Sequence, residues 1–193
     1  MKNRLSQFVY RKSLKKLLLL LAICHMPYAI VGCGYTSRSM ITSKFRTIYV
    51  APFINKVDIA RESSVGNQYR LYRPSLETDI TKSASNQFLF DGNLRPVSEE
   101  SADLILKGEL IEFRRDALRY DNANNVTEYR VNLVVNIALW DRKENKLLWQ
   151  ETNFTGTTTY FTTGSTAKSD DSAVNDALSD LSRRIVERAV EQW

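Results

Sequence analysis

Histidine occurs once in this chain, at position 25, and cysteine twice, at positions 24 and 33; the stretch from residue 34 to the end has neither. Disulfide frameworks need cysteine pairs, so none closes within that stretch. Zinc sites draw on Cys and His clusters, and Ser–His–Asp or Cys–His catalysis needs an imidazole, so both are excluded there by inventory. A Gly-rich phosphate loop, a nucleophile elbow and metal-ligand spacings are also missing, as is any internal repeat. What remains for an enzyme is carboxylate chemistry alone, and no pair of carboxylates stands out for it. The reading is therefore of a protein that is not an enzyme, with no cofactor and no metal.

Acidic residues are lacking from the first 32 positions, where Lys2, Arg4, Arg11, Lys12, Lys15 and Lys16 are the only charges. Leu17 to Ile23 is an unbroken apolar block, followed by His25, Pro27 and a run ending in Gly32. A basic start, a short apolar centre and a small residue at the close make a secretory signal. A membrane-spanning helix needs about 20 mostly apolar residues, and this segment is shorter and interrupted. The signal holds six of the 27 basic groups, leaving 21 against 22 acidic ones, a net charge of −1 for the chain from Cys33. The alkaline pI thus belongs to a segment expected to be discarded, and nucleic acid loses its main support as a partner. The sequence Ile30-Val31-Gly32-Cys33 resembles the lipobox of bacterial lipoproteins, with Ile30 where leucine is usual. That resemblance implies cleavage between Gly32 and Cys33, a diacylglyceryl group on the thiol and an acyl chain on the new amine. Two or more chains anchor firmly where one holds marginally. Gly34 follows the cysteine in place of the aspartate that resembles an inner-membrane retention signal, so the same resemblance implies the outer membrane.

Residues 33–44 read as a polar lipidated tether, and 45–193 as one domain large enough for its own core. Arg46–Phe53 is β-branched and aromatic, a strand closed by Pro52. A polar loop follows. Leu76, Ile80, Ala84 and Phe88 recur every four residues, predicting a helix over roughly Tyr72–Phe88. Asp91–Asn93 makes a turn, and Leu94–Ser98 a short edge strand that tolerates its proline. Asp103–Arg119 predicts a long strand, bent near Gly108 or Arg114–Arg115. Glu128–Trp140 alternates most clearly, with Tyr129, Val131, Leu133, Val135, Ile137 and Leu139 on one face and Asn132 and Asn136 on the other, so one face is covered and one wetter. Leu147–Tyr160 is the last strand. Val174, Leu178, Leu181, Ile185, Ala189 and Trp193 stripe a closing helix whose start carries Asp170, Asp171 and Asp176, where the helix dipole favours them. The expected fold is α+β: a two-layer sandwich with a mostly antiparallel sheet of four to five strands and two helices on one face.

The segments CGYTSRS, RTIYVAPFINKV, ADLILKGELIEF, LRYDNANNVTEYRVNLVVNIALWD and KLLWQETNFTG, in this order behind a lipobox, resemble the LPS-assembly lipoprotein family LptE across nearly the whole mature chain. The resemblance implies an outer-membrane lipoprotein on the periplasmic face, plugging a large β-barrel partner that places lipopolysaccharide in the outer leaflet. It also implies direct contact with lipopolysaccharide. Its phosphates call for Lys or Arg. Lys168, in the loop before the last helix, matches one family position; the other falls in the YDNANN hairpin, where Asp121 stands instead of a basic residue, with Arg114, Arg115 and Arg119 nearby to compensate. A lipoprotein adaptor or self-assembling secretion-pore component is the competing expectation. Trp140 and Trp149 could meet a barrel wall or acyl chains, though such residues more often serve the core.

Overall fold

The computed structural model describes residues 44–57, 69–70 and 73–191. The signal segment, Gly32, Cys33, the tether up to residue 43, Tyr72 and Trp193 lie outside them. Among the described residues, seven strands form one sheet: β1 (Thr47–Val50), β2 (Ile54–Asn55), β3 (Tyr69–Arg70), β4 (Arg95–Pro96), β5 (Leu104–Tyr120), β6 (Val126–Asp141) and β7 (Lys146–Phe161). Two helices, α1 (Leu76–Asp91) and α2 (Asp170–Val190), cover one face. The main path runs β4-β1-β5-β6-β7, with β2 and β3 added on β5.

The two-layer α+β expectation holds, with one refinement. β5, β6 and β7 pair antiparallel, whereas β1 pairs parallel with both β4 and β5, and β2 pairs parallel with β5. The sheet is mixed because α1 carries the chain back between β1 and β4, and such a crossover delivers parallel strands. β2 and β3 fall in or next to the stretch that reads as a polar loop, because two-residue strands carry too few side chains for a period to register.

The predicted face assignments follow from register. Leu104, Leu106, Leu110 and Phe113 on β5 stand beside Leu139, Val135 and Leu133 on β6, all buried under the helices. The bend in β5 falls between Leu110 and Glu112, and again around Arg119, rather than at Gly108 or Arg114–Arg115. Gly108 has a different purpose: the Phe53 ring lies 2.1 Å from where a β-carbon would be. The helix predicted from about Tyr72 begins at Leu76, after Pro74 and a left-handed Ser75, and ends at a left-handed Gly92 with its four-residue stripe buried as expected. On α2, Val174, Leu178, Leu181, Ile185 and Ala189 are buried, and the Ser169 side chain caps the first turn by accepting from the Ser172 N–H at 3.2 Å. The helices run the same way. Arg73 reaches Asp171 near their starts at 3.3 Å, and further along Ser182 Oγ donates to Ser83 Oγ at 2.7 Å.

The sandwich therefore has two distinct ends. One holds the start of β1, the ends of both helices and the β6–β7 turn. Lys44 ties that end together through Asp141 at 3.5 Å and Glu144 at 3.4 Å. The other holds the helix starts, the β5–β6 hairpin tip and the loop from β7 into α2.

Candidate functional site

Strand alternation separates the arginines that the sequence places side by side. Arg114 lies on the open face, where its Nη1 meets Glu112 at 3.2 Å and its Nε donates to Asp116 at 3.0 Å. Asn132 Nδ2 donates to the same Asp116 oxygen at 2.8 Å, and Thr157 Oγ1 donates to Asn132 Oδ1 at 3.2 Å. This chain of bonds crosses three strands and explains how Asn132 is buried on the wetter face. Asn136 is used similarly, accepting from the Asn153 N–H at 3.0 Å beside a register shift in β7.

Arg115 points the opposite way, under α2, with its side chain 15% exposed. Its guanidinium donates to Tyr160 Oη at 3.3 Å and to Asp170, and lies 4.3 Å from the Tyr129 ring centre. Tyr160 donates to Asp170 at 2.5 Å. Burial and the Asp170 hydrogen bond push the Tyr160 phenol up to about 12, so it stays a donor. Burial pulls the Arg115 pKa down, but the bond to Tyr160 and the Asp170 charge more than offset it. This cluster pins the first turn of α2 to β5 and β7. Nothing in the sequence signals it, since its members are 10 to 55 positions apart.

Arg119 stands on the sheet near the hairpin end, whereas the Lys168 ammonium pairs with α2. The Arg119 side chain is 67% exposed, 3.4 Å from Glu128, and its guanidinium lies 5.9 Å from the Phe161 ring centre. The Lys168 backbone N–H donates to the Phe161 carbonyl at 2.9 Å, which fixes the loop from β7 into α2 against the strand end. The Lys168 ammonium meets Asp176 at 2.6 Å, with both side chains about half exposed. Leu118 and Tyr120 are exposed at the same end. Asp121, where the family resemblance calls for a base, organises the turn: its carboxylate accepts from the N–H of Ala123 and of Asn125, each at 2.8 Å, and from Asn125 Nδ2 at 3.1 Å. The Asn125 hydrogen bonds hold its pKa below the usual carboxylate range. A lysine or arginine could accept none of these bonds. The tip is thus a rigid turn with one adjacent cation, mixed with apolar side chains.

Asp170, Asp171 and Asp176 each meet a different cation: Arg115, Arg73 and Lys168. Among the described residues, no three His, Cys, Asp or Glu side chains converge as metal ligands, and no helix is long and apolar enough to cross a membrane. Trp149 is buried beneath Arg188, whereas Trp140 lies on the open face with Lys107 5.1 Å from its ring centre. Trp140 lines a groove of about 340 Å³ with Pro52, Ile54, Ala138 and Gln150.

The family model LptE, described as lipopolysaccharide-assembly, matches residues 45–192. No curated protein matches the chain. Solved structures similar to it include protein XCC0632 from Xanthomonas campestris, 13% identical over 76% of this chain and 84% of that one, with a TM-score of 0.49. The hypothetical protein CT253 from Chlamydia trachomatis is 13% identical over 75% and 95%, at 0.47. A PelC dodecamer subunit from Paraburkholderia phytofirmans is 13% identical over 77% and 91%, at 0.44.

Proposed function

The chain belongs to the LptE family of lipopolysaccharide-assembly proteins, and from that premise we propose that it is a non-catalytic outer-membrane lipoprotein that plugs a large lipopolysaccharide-inserting β-barrel. Residues 1–32 are its signal, removed at Gly32–Cys33. Residues 33–44 are the tether, acylated at Cys33 and held in the periplasmic leaflet, and 45–193 form the working domain. The observation that carries this reading is the family match over 45–192.

The two-ended geometry supports it. The tether joins at the Lys44 end, and the hairpin tip lies at the far end of β5 and β6. At about 3.4 Å per residue, a strand of β6's length rises roughly 50 Å, more than the ~30 Å hydrocarbon core. A domain held at one leaflet is therefore long enough to carry its tip through a barrel. Arg119 beside that tip and Lys168 on the loop into α2 supply charge for lipid A phosphates, while Leu118, Tyr120 and Phe161 offer apolar contact. Arg114 and Arg115, the other two arginines expected to meet lipid, are held in ion pairs, Arg114 on the open face and Arg115 at the α2 start.

The test is affinity purification of the tagged full-length protein from gently solubilised outer membranes. A stoichiometric, heat-modifiable barrel in the eluate is expected, together with loss of membrane anchoring in Cys33→Ser. Recovery of self-copies alone would replace this reading with that of a self-assembling pore component.

A further inference from the structure

Two of the most water-exposed large apolar residues among those described are adjacent. Leu89 is 68% exposed and Phe90 87% exposed, in the last turn of α1. The core stripe of that helix ends at Phe88, so neither side chain serves the fold. Gly92 then stops the helix, and the chain runs to Arg95, whose N–H donates to the Arg46 carbonyl at 2.9 Å. Leu89 and Phe90 therefore stand at the end where β1 begins and where the tether arrives.

That placement limits what can meet them. Ten residues separate Cys33 from Lys44, and an extended chain spans at most about 3.6 Å per residue, so this end stays within roughly 40 Å of the acylated cysteine. Two side chains offer far less than the ~800 Å² per partner of a stable protein interface. They suffice for an interfacial wedge, in which apolar side chains enter the boundary between headgroups and acyl chains. The same end carries charges of both signs, Lys44, Arg46 and Arg95 with Asp91 and Glu144, so electrostatic attraction is not the main grip. We propose that Leu89 and Phe90 form a membrane contact, inserting into the lipid leaflet that holds the anchor and fixing the tilt of the domain. This rests on the reading of Cys33 as the lipid anchor.

The experiment uses the full-length lipidated protein carrying Phe90→Trp, reconstituted into phosphatidylethanolamine–phosphatidylglycerol vesicles. The unsubstituted protein serves as the blank for its own tryptophans, and acyl-brominated lipids as quenchers. Both proteins should float with the vesicles. The emission added by the new tryptophan should shift to shorter wavelength, and most of it should be lost to bromolipid, equally in high salt. Leu89→Trp should behave alike, so that failure of one variant to fold does not decide the matter. Flotation with unshifted, unquenched added emission overturns the wedge and leaves the anchor standing. A shift without quenching overturns it in favour of cover by protein. Loss of flotation by the unsubstituted protein overturns the anchor and the wedge together.

Discussion

Asp103 shows how much one carboxylate can organise. Its Oδ2 accepts from the N–H groups of Arg46 at 3.1 Å and Thr47 at 3.3 Å and from Thr47 Oγ1 at 2.9 Å, while Lys143 lies 3.0 Å from its other oxygen. It thereby closes the start of β1 against β5. The Lys143 bond, with the backbone and hydroxyl donors, overcomes partial burial and holds its pKa down to about 2 from 3.8. Because the folded value lies below the unfolded one, this stabilisation is fully present above the unfolded value. It is lost as pH falls through the folded one. Asp103→Asn should cost about 1–2 kcal/mol at neutral pH. It should also flatten the fall in thermal midpoint between about pH 5 and pH 2. Calorimetry across that range checks both; an unchanged slope would remove Asp103 from the account. The arginines teach a related lesson. Arg114 and Arg115 look like one basic cluster in sequence, but a side-chain period of two sends them to opposite faces.

At the scale of elements, the α2–β7 contact decides the thickness of the sandwich. A β-carbon on Gly156 would sit 2.4 Å from Leu181 Cβ and 2.8 Å from the Leu181 backbone. Backbone cannot swing aside as a side-chain tip can, so Gly156→Ala should push α2 off the sheet and cost about 1–3 kcal/mol. Denaturant unfolding measures this; a neutral result would mean the helix has slack there. α2 also protects the edge strand it covers. Asp180 accepts from the Thr157 N–H at 3.1 Å, and Arg184 donates to the Thr155 carbonyl, occupying groups that a foreign strand would otherwise pair with. At the opposite edge, Pro96 in two-residue β4 does the same by having no N–H to offer. Glu128–Trp140 was the most readable element because alternation ran its whole length. β2 and β3 were unreadable for the opposite reason.

For the whole molecule, the two-ended layout makes a separable prediction. Lys168→Ala combined with Arg119→Ala should weaken lipopolysaccharide binding by the full-length protein by roughly tenfold, on the scale of one or two charge-assisted bonds. The thermal midpoint should stay nearly unchanged, because both side chains lie in exposed ion pairs of little stability. A lipopolysaccharide binding assay paired with melting curves tests this. Unaltered affinity would assign lipid contact to the barrel alone. The wedge at Leu89 and Phe90 belongs to the other end and should leave this affinity untouched.

The sequence alone determined the helix stripes, the long alternating strands and therefore a sandwich with one covered and one wetter face. These are readable because burial repeats with the local period of the backbone. It also placed Lys168 and Arg119 near the ends of elements, without saying that one would pair with α2 and the other with β6. Only the tertiary structure decided the parallel pairing of β1, the separation of Arg114 from Arg115, and the Arg115–Tyr160–Asp170 clamp. It alone put Leu89 and Phe90 at the end where β1 begins. Each of these depends on which distant segments become neighbours, and no local period in the chain encodes that.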